Sequence, residues 1–233
     1  MKSHVLLMMG GSGTRLGADV PKQYIEIEGQ PIFSYILEMY NKLSDIDKIV
    51  IVSHKMWIDF VNEWVGKVGA DKVVAVTEGG ETRSHSVKNG LRALKKFAED
   101  DDCVLLHDAT HPYVDVEGTK GVIEAVEKYD GATLGEHQYD TVYMIDEDGF
   151  ISETVPRERI IAGASPEGFR YGMLYNIYEN STDDELAVMT SAGAIATACG
   201  IKMKVVPCNV VNLKITYKND MAALEKMTDY YFR

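Results

Sequence analysis

The sequence predicts an α/β fold, a mostly parallel sheet with helices on both faces. Three observations carry this prediction. Short apolar runs rich in β-branched residues alternate with stretches of helical periodicity. The unusual loops follow the apolar runs rather than precede them. The 233 residues contain no low-complexity segment, internal repeat or obvious linker, so one domain spanning 1–233 is expected.

The strands are expected at 5–9, 48–52, 72–77, 104–107, 132–135 and 202–207. Most are brief apolar runs rich in β-branched residues, as strands buried on both faces require. Helices are expected at 32–42, 55–68, 84–97, 116–128 and 169–179, where apolar residues recur every three or four positions. This alternation is Rossmann-like, and ligands of such sheets gather at the carboxyl ends of the strands. Residues 137–159 interrupt it. There, 141–145 and 150–155 read as two strands joined by Asp146-Glu147-Asp148-Gly149, a hairpin signal. An isolated hairpin is marginal in water, so this protruding arm is expected to pack against another subunit.

Composition narrows the function. The formal charge of −12 repels a phosphate backbone, which argues against a nucleic-acid partner. Cys103, Cys199 and Cys208 are odd in number and widely spaced, as expected of buried thiols in a reducing cytoplasm. The apolar run after Met1-Lys2-Ser3-His4 is too short for a signal peptide or a membrane span.

The first strand empties into Met9-Gly10-Gly11-Ser12-Gly13-Thr14-Arg15-Leu16-Gly17, followed by Pro21-Lys22-Gln23-Tyr24. Glycines let backbone N–H groups approach an anion, and Arg15 and Lys22 add two cations, so the segment reads as a polyphosphate cradle. It is not a P-loop, because no Gly-Lys-Ser/Thr follows at the required spacing. Nor is it a dinucleotide fingerprint, because Leu16 stands where Gly or Ala is needed. An ordinary tight turn is the plain alternative.

Further candidates end later strands. Gly79-Gly80, with Thr82, Arg83, Ser84 and Ser86, reads either as a loop presenting helix N–H donors to a ligand or as a simple serine-capped turn. Asp108 ends an apolar strand, where a carboxylate binds a metal, accepts from ligand hydroxyls or caps a turn. His107 and His111 lack the helical context and third ligand that a zinc site needs, and His111 could face the ligand instead. Lys214, in Val211-Asn212-Leu213-Lys214-Ile215-Thr216, is a lysine on an apolar strand that must reach an anion or snorkel to water.

Taken in order, these motifs closely resemble the cytidylyltransferases that act on polyol phosphates, the 2-C-methyl-D-erythritol 4-phosphate enzymes and their ribitol-5-phosphate relatives. The resemblance spans nearly the whole chain: the two segments around Gly10 and Lys22, Gly79-Gly80 with Arg83 and Ser86, His107-Asp108-Ala109, Asp140-Thr141, Ser165-Pro166 with Phe169, and Asn212 to Thr216. It implies transfer of CMP from CTP to the acceptor phosphate, with pyrophosphate released. Met9, Gly10, Gly11, Ser12, Gly13, Thr14, Gly79, Gly80, Arg83 and Ser86 would hold the nucleotide, with Arg15, Lys22 and Lys214 catalytic. Asp108, Thr141, Arg157, Ser165 and Asp183 would meet the acceptor. Magnesium would bridge the triphosphate oxygens, with Asp108 as its candidate protein ligand, and the arm would deliver Thr141 and Arg157 to a neighbour's site in a homodimer.

Four departures touch this pattern. Met9-Gly10-Gly11 stands where relatives carry Ala-Ala-Gly or Ala-Gly-Gly, and His111 stands where they commonly carry Arg. Ala164-Ser165-Pro166-Glu167 replaces Gln-Thr-Pro-Gln, and Thr182-Asp183-Asp184-Glu185 replaces Thr-Asp-Asp-Ala, aligning Asp183 with the substrate-contacting threonine. The last three fall on the acceptor side. They leave methylerythritol phosphate, ribitol phosphate or another sugar or polyol phosphate as acceptors, and a catalytically silent nucleotide-binding module as the competing class.

Overall fold

The computed structural model describes residues 1–11, 20–189 and 191–232. In chain order its strands are β1 (Ser3–Met9), β2 (Glu26–Ile27), β3 (Gln30–Pro31), β4 (Lys48–Ser53), β5 (Val73–Glu78), β6 (Cys103–Asp108), β7 (Gly131–His137), β8 (Val142–Ile145), β9 (Ile151–Val155), β10 (Ile161–Arg170) and β11 (Met203–Pro207). The helices are α1 (Ile32–Lys42), α2 (Ile58–Lys67), α3 (Arg83–Leu94), α4 (Val116–Tyr129), α5 (Tyr171–Asn180), α6 (Asp183–Val188), α7 (Ala192–Ala198), α8 (Lys218–Lys226) and α9 (Thr228–Phe232).

The main sheet has the order β11-β7-β10-β6-β1-β4-β5. β1 pairs parallel with β4 and β6, β4 with β5, and β7 with β11. Its central strands β1, β4 and β6 are buried on both faces, since the side-chain period of two sends alternate residues to opposite layers and helices cover each. Val5, Leu7 and Met9 of β1 pack with Phe33, Ile36 and Leu37 of α1, Val61 of α2 and Val122 of α4. Leu6 and Met8 face the other way, toward Val87 and Leu91 of α3, Leu174 of α5 and Ile195 of α7. The helices are set by local chemistry as well: Thr82 caps α3 by accepting from the His85 N–H, and Asp115 caps α4 by accepting from the Gly118 N–H at 2.8 Å.

The parallel α/β expectation is met, with one reversal that the sequence reading lacks. β10 runs antiparallel between β6 and β7, pairing Glu167 with Leu106 and Thr133. Phe169, expected to open a helix, lies in this strand, and α5 starts at Tyr171. The strand hides from pattern reading because it is built of small residues and a proline. Its register shifts between Gly163 and Glu167 around the cis Ser165–Pro166 bond. Gly168 is needed for packing, since a Cβ there would lie 2.5 Å from Val122 of α4.

Three smaller corrections follow. Residues 55–57 form a 3₁₀ turn ahead of α2 rather than its first turn, because the His54 side chain accepts from the Met56 N–H there. The segment 211–216 is irregular rather than a strand, its backbone tied instead by Ile215 N–H to Thr110 O at 2.8 Å. Cys103 is buried as expected, but Cys199, at the solvent-facing end of α7, is exposed.

The expected hairpin is present, with β8 and β9 pairing antiparallel as a separate two-stranded sheet. It leaves Tyr143, Met144, Ile145, Phe150 and Ile151 exposed, between 50% and 71% of each residue. Among the described residues no helix is long and apolar enough to cross a membrane.

Candidate active site

The carboxyl ends of β1, β4, β5 and β6 share one edge of the sheet, and the reversed β10 brings its amino-terminal half to the same edge. They frame a cleft of about 940 Å³. It is lined by Met9, Gly10, Gly11, Lys22, Gly80, Arg83, Ser86, Asp108, Ser165 and Lys214, all of them residues singled out from sequence. Ser12, Gly13, Thr14 and Arg15 lie outside the described residues. Gly79 sits just behind the wall.

The two glycine loops are pinned together by close backbone approach. Ser86 Oγ accepts from the Gly80 N–H and donates to Thr82 O, each at 3.0 Å, tying the Gly79-Gly80 turn to the first turn of α3. A Cβ on Gly79 would lie 2.9 Å from Ser86 Oγ and 3.1 Å from the Gly10 Cα, so the two glycine loops touch where Gly79 leaves no room for a side chain. The end of β1 is anchored by two residues to which the sequence reading gave no role. The Gln23 amide donates to the carbonyls of Met9 at 2.9 Å and Gly11 at 2.8 Å, and the Tyr24 hydroxyl reaches Met9 O at 3.0 Å. Their adjacency to Lys22 in Pro21-Lys22-Gln23-Tyr24 was the only signal.

Lys22 and Lys214 reach the cleft from distant parts of the chain. The Lys22 ammonium donates to the carbonyl of Ile215, next to Lys214, which joins the two segments. Arg83 supplies a third cation, pairing with Asp108 at 3.1 Å and Glu167 at 3.4 Å. Burial opposes the charge of Asp108, but Arg83 and Lys214 outweigh it and hold its carboxyl below the usual range. Glu167 goes the other way: burial raises it, and Asp108 adds to the rise against the pull of Arg83. Glu167 also accepts from the Gly193 N–H at 3.0 Å, tying β10 to α7.

Both contacts of Arg83 on Asp108 fall on Oδ1. Asp108 keeps Oδ2 outside that pair, and among the described residues no three His, Cys, Asp or Glu side chains gather as a metal-binding group. Asp108 Oδ2 would be the carboxylate oxygen offered to a magnesium ion, whose remaining ligands would be phosphate oxygens and water. His107 is wholly buried, bonded to the Tyr40 hydroxyl and to His111 O at 2.9 Å each, which accounts for it as a structural group.

Three acceptor-side candidates do not line this cleft. Thr141 and Arg157 lie exposed on the arm, where Arg157 donates to Tyr139 O at 2.6 Å. Asp183 opens α6 and meets His85 at 3.5 Å on the rim of a smaller adjoining depression. Conversely, Thr110, His111, Thr133, Gly163, Glu167 and Thr216 line the cleft beyond the assigned residues. Glu167 had been marked only as a departure, and His111 both as a departure and as a residue that could face the ligand; Gly163 comes to the cleft on the unforeseen strand β10, and Thr133 lies next to that strand on β7.

A strand-edge cleft with clustered glycine loops and convergent cations defines an α/β domain suited to phosphorylated ligands. Comparison with known proteins makes this specific. Residues 3–229 match the family model of IspD, 2-C-methyl-D-erythritol 4-phosphate cytidylyltransferase, and the chain belongs to that family. It is 31% identical to the 2-C-methyl-D-erythritol 4-phosphate cytidylyltransferase of Clostridium novyi, over 98% of this chain and 97% of the relative. It is also 31% identical to the D-ribitol-5-phosphate cytidylyltransferase of Xenopus tropicalis, over 96% of this chain and 56% of that protein. Among solved structures, the 4-diphosphocytidyl-2C-methyl-D-erythritol synthase of Anaerococcus prevotii superposes with a TM-score of 0.81 at 25% identity, covering 98% of this chain and 96% of that one.

Proposed function

We propose that this protein transfers the cytidylyl group of CTP to the phosphate of a polyol phosphate, releasing pyrophosphate and forming a CDP-polyol. An acceptor phosphate oxygen attacks the α-phosphorus of CTP; a new P–O bond forms as the bond to the β-phosphate bridging oxygen breaks. A phosphate monoester is already an anionic nucleophile near neutral pH, so no strong general base is required. The enzyme must instead hold two mutually repelling anions in line and neutralise the charge that develops. The observation that carries this reading is the convergence of Lys22, Lys214 and the Gly10 and Gly80 loops on one cleft.

In this reading the glycine loops, with Arg15, take the triphosphate, and Gly79, Gly80 and Ser86 take the cytosine side. Asp108 and Ser165 face the acceptor, and Lys22 and Lys214 lie between the two phosphates. Magnesium belongs to the reaction as the ion that CTP carries on its own oxygens, and no step is assigned to it. The exposed apolar face of the arm supports a homodimer in which Thr141 and Arg157 complete the partner's acceptor site. The reduced cysteines fit a cytoplasmic setting.

Methylerythritol phosphate is the first acceptor to test, because the relatives matched along their full length carry its name. Ribitol phosphate is the second, on the strength of the Xenopus relative. Pyrophosphate release from CTP, assayed over both acceptors and other polyol and sugar phosphates, tests the reading. Turnover with one polyol phosphate supports it; CTP binding without turnover on any acceptor favours the silent module.

A further inference from the structure

The loop after β6 turns back on itself, with the His111 N–H donating to Asp108 O at 2.9 Å, and sets the His111 ring into the cleft wall. Two contacts fix that ring, and two more hold the tyrosine behind it. Its Nδ1 accepts from the backbone N–H of Ser165 at 3.0 Å. Its face stacks on Tyr113 at 6.0 Å and 24°, and Tyr113 in turn stacks on Tyr231 at 5.2 Å. The Tyr113 hydroxyl donates to Asn212 Oδ1 at 2.7 Å. A backbone N–H can only donate, so Nδ1 must present its lone pair and the ring proton belongs on Nε2. Burial pushes the His111 pKa down to about 3, with His107, Lys214 and Lys22 adding to the fall. The ring is therefore neutral at physiological pH.

Among the described residues, Nε2 has no hydrogen-bond partner and is not among the polar atoms sealed away from solvent. Asp108, on the same turn and lining the same cleft, keeps Oδ2 with no hydrogen bond among those residues, since Arg83 uses Oδ1. The cleft lining thus includes one neutral donor and one carboxylate acceptor. A hydroxyl group satisfies both, donating its proton to Asp108 and accepting from Nε2–H. A phosphate oxygen would instead sit against the Asp108 charge.

We infer that His111 is a specificity-determining residue that donates from Nε2 to an uncharged hydroxyl of the acceptor, paired with Asp108. The inference rests on the cytidylyl-transfer reading. It assigns the polyhydroxylated part of the acceptor, rather than its phosphate, to the wall formed by the β6 loop and β10. The discrimination is chemical: a site with a fixed donor and acceptor rejects an analogue that lacks the hydroxyl, because both groups are left unpaired.

Two measurements test it. Nitrogen NMR of the wild-type imidazoles should show His111 as the neutral Nε2–H tautomer from about pH 5.5 to 8, the range in which an ordinary histidine changes charge. Steady-state kinetics should then compare His111→Asn, whose amide oxygen can still accept from Ser165, with His111→Gln, whose amide reaches as far as Nε2. With the acceptor that wild type uses, the Asn variant should raise acceptor KM about tenfold, the scale of one lost hydrogen bond, with CTP KM unchanged, and Gln should recover most of the loss. An acceptor analogue lacking the hydroxyl should make wild type and Asn variant alike. The proposal is overturned by an imidazolium or Nδ1–H tautomer, by an unchanged acceptor KM, or by equal rises in both KM values. Wild-type protein that releases no pyrophosphate with any polyol phosphate overturns the cytidylyl-transfer reading together with this inference, so the two failures are distinguishable.

Discussion

Arg83 and Asp108 meet at 3.1 Å on the wall of the cleft, and Glu167 reaches the same guanidinium nitrogen at 3.4 Å. One cation thus bridges two carboxylates. Arg83→Ala leaves Asp108 and Glu167 facing one another without compensation, and should cost about 3 kcal/mol of stability, the scale for breaking a partly buried ion pair. Urea unfolding checks it. Asp108→Asn keeps the shape but weakens acceptance from a ligand hydroxyl, and should lower kcat/KM for the acceptor while leaving the KM for CTP near its wild-type value.

In the proposed transfer, Lys22 and Lys214 act on the charge that develops. Replacing either with Ala, or replacing Arg15, should lower kcat by about two to three orders of magnitude, the scale for losing one transition-state donor. Unfolding curves near wild type should accompany the loss for Lys214, which sits on an irregular segment rather than in the core.

Gly79 is packed against Ser86 and Gly10 with no room for a methyl group. Gly79→Ala should push the two nucleotide-side loops apart. The expected result is a rise in CTP KM, with a stability loss of about 1–3 kcal/mol from overpacking. The acceptor KM should move least.

The buried imidazoles make stability depend on pH. Burial lowers the His107 pKa from 6.5 to about 4, so the folded state stays neutral while the unfolded chain takes up a proton. Stability is therefore fully present above pH 6.5 and declines as pH falls from 6.5 toward 4. For His107 alone the gap corresponds to about 3 kcal/mol. Urea unfolding at a series of pH values should show this slope, and His107→Gln should make it shallower.

The apolar face of the arm carries an assembly prediction. Ile145 and Phe150 are 66% and 71% exposed in the single chain. The double replacement Ile145→Asp with Phe150→Asp should turn a dimer into a monomer by sedimentation and cut acceptor turnover through the loss of Thr141 and Arg157. A wild-type monomer with full activity would remove the arm from the mechanism.

Much of this architecture was legible because strands buried on both faces must be apolar throughout, as in Val5 to Met9, and because glycine loops follow strand ends. Gly10, Lys22, Gly80 and Asp108 could be placed at one sheet edge on those grounds, whereas Lys214 joined them only through the family resemblance. β10 was not legible, since Gly163, Pro166 and Gly168 erase a strand's signature while tight packing under α4 demands them. The roles of Gln23, Tyr24 and Glu167 were hidden for another reason: each acts by bonding to backbone far away in sequence or across the sheet, and periodicity carries no trace of such pairs.

The most direct test of the central claim is phosphorus NMR of the wild-type protein with CTP and a polyol phosphate together and each alone. The account predicts free pyrophosphate and a new diphosphodiester signal only when both are present. Binding of CTP with no diphosphodiester from any polyol phosphate, or the same turnover when the acceptor is omitted, would contradict it.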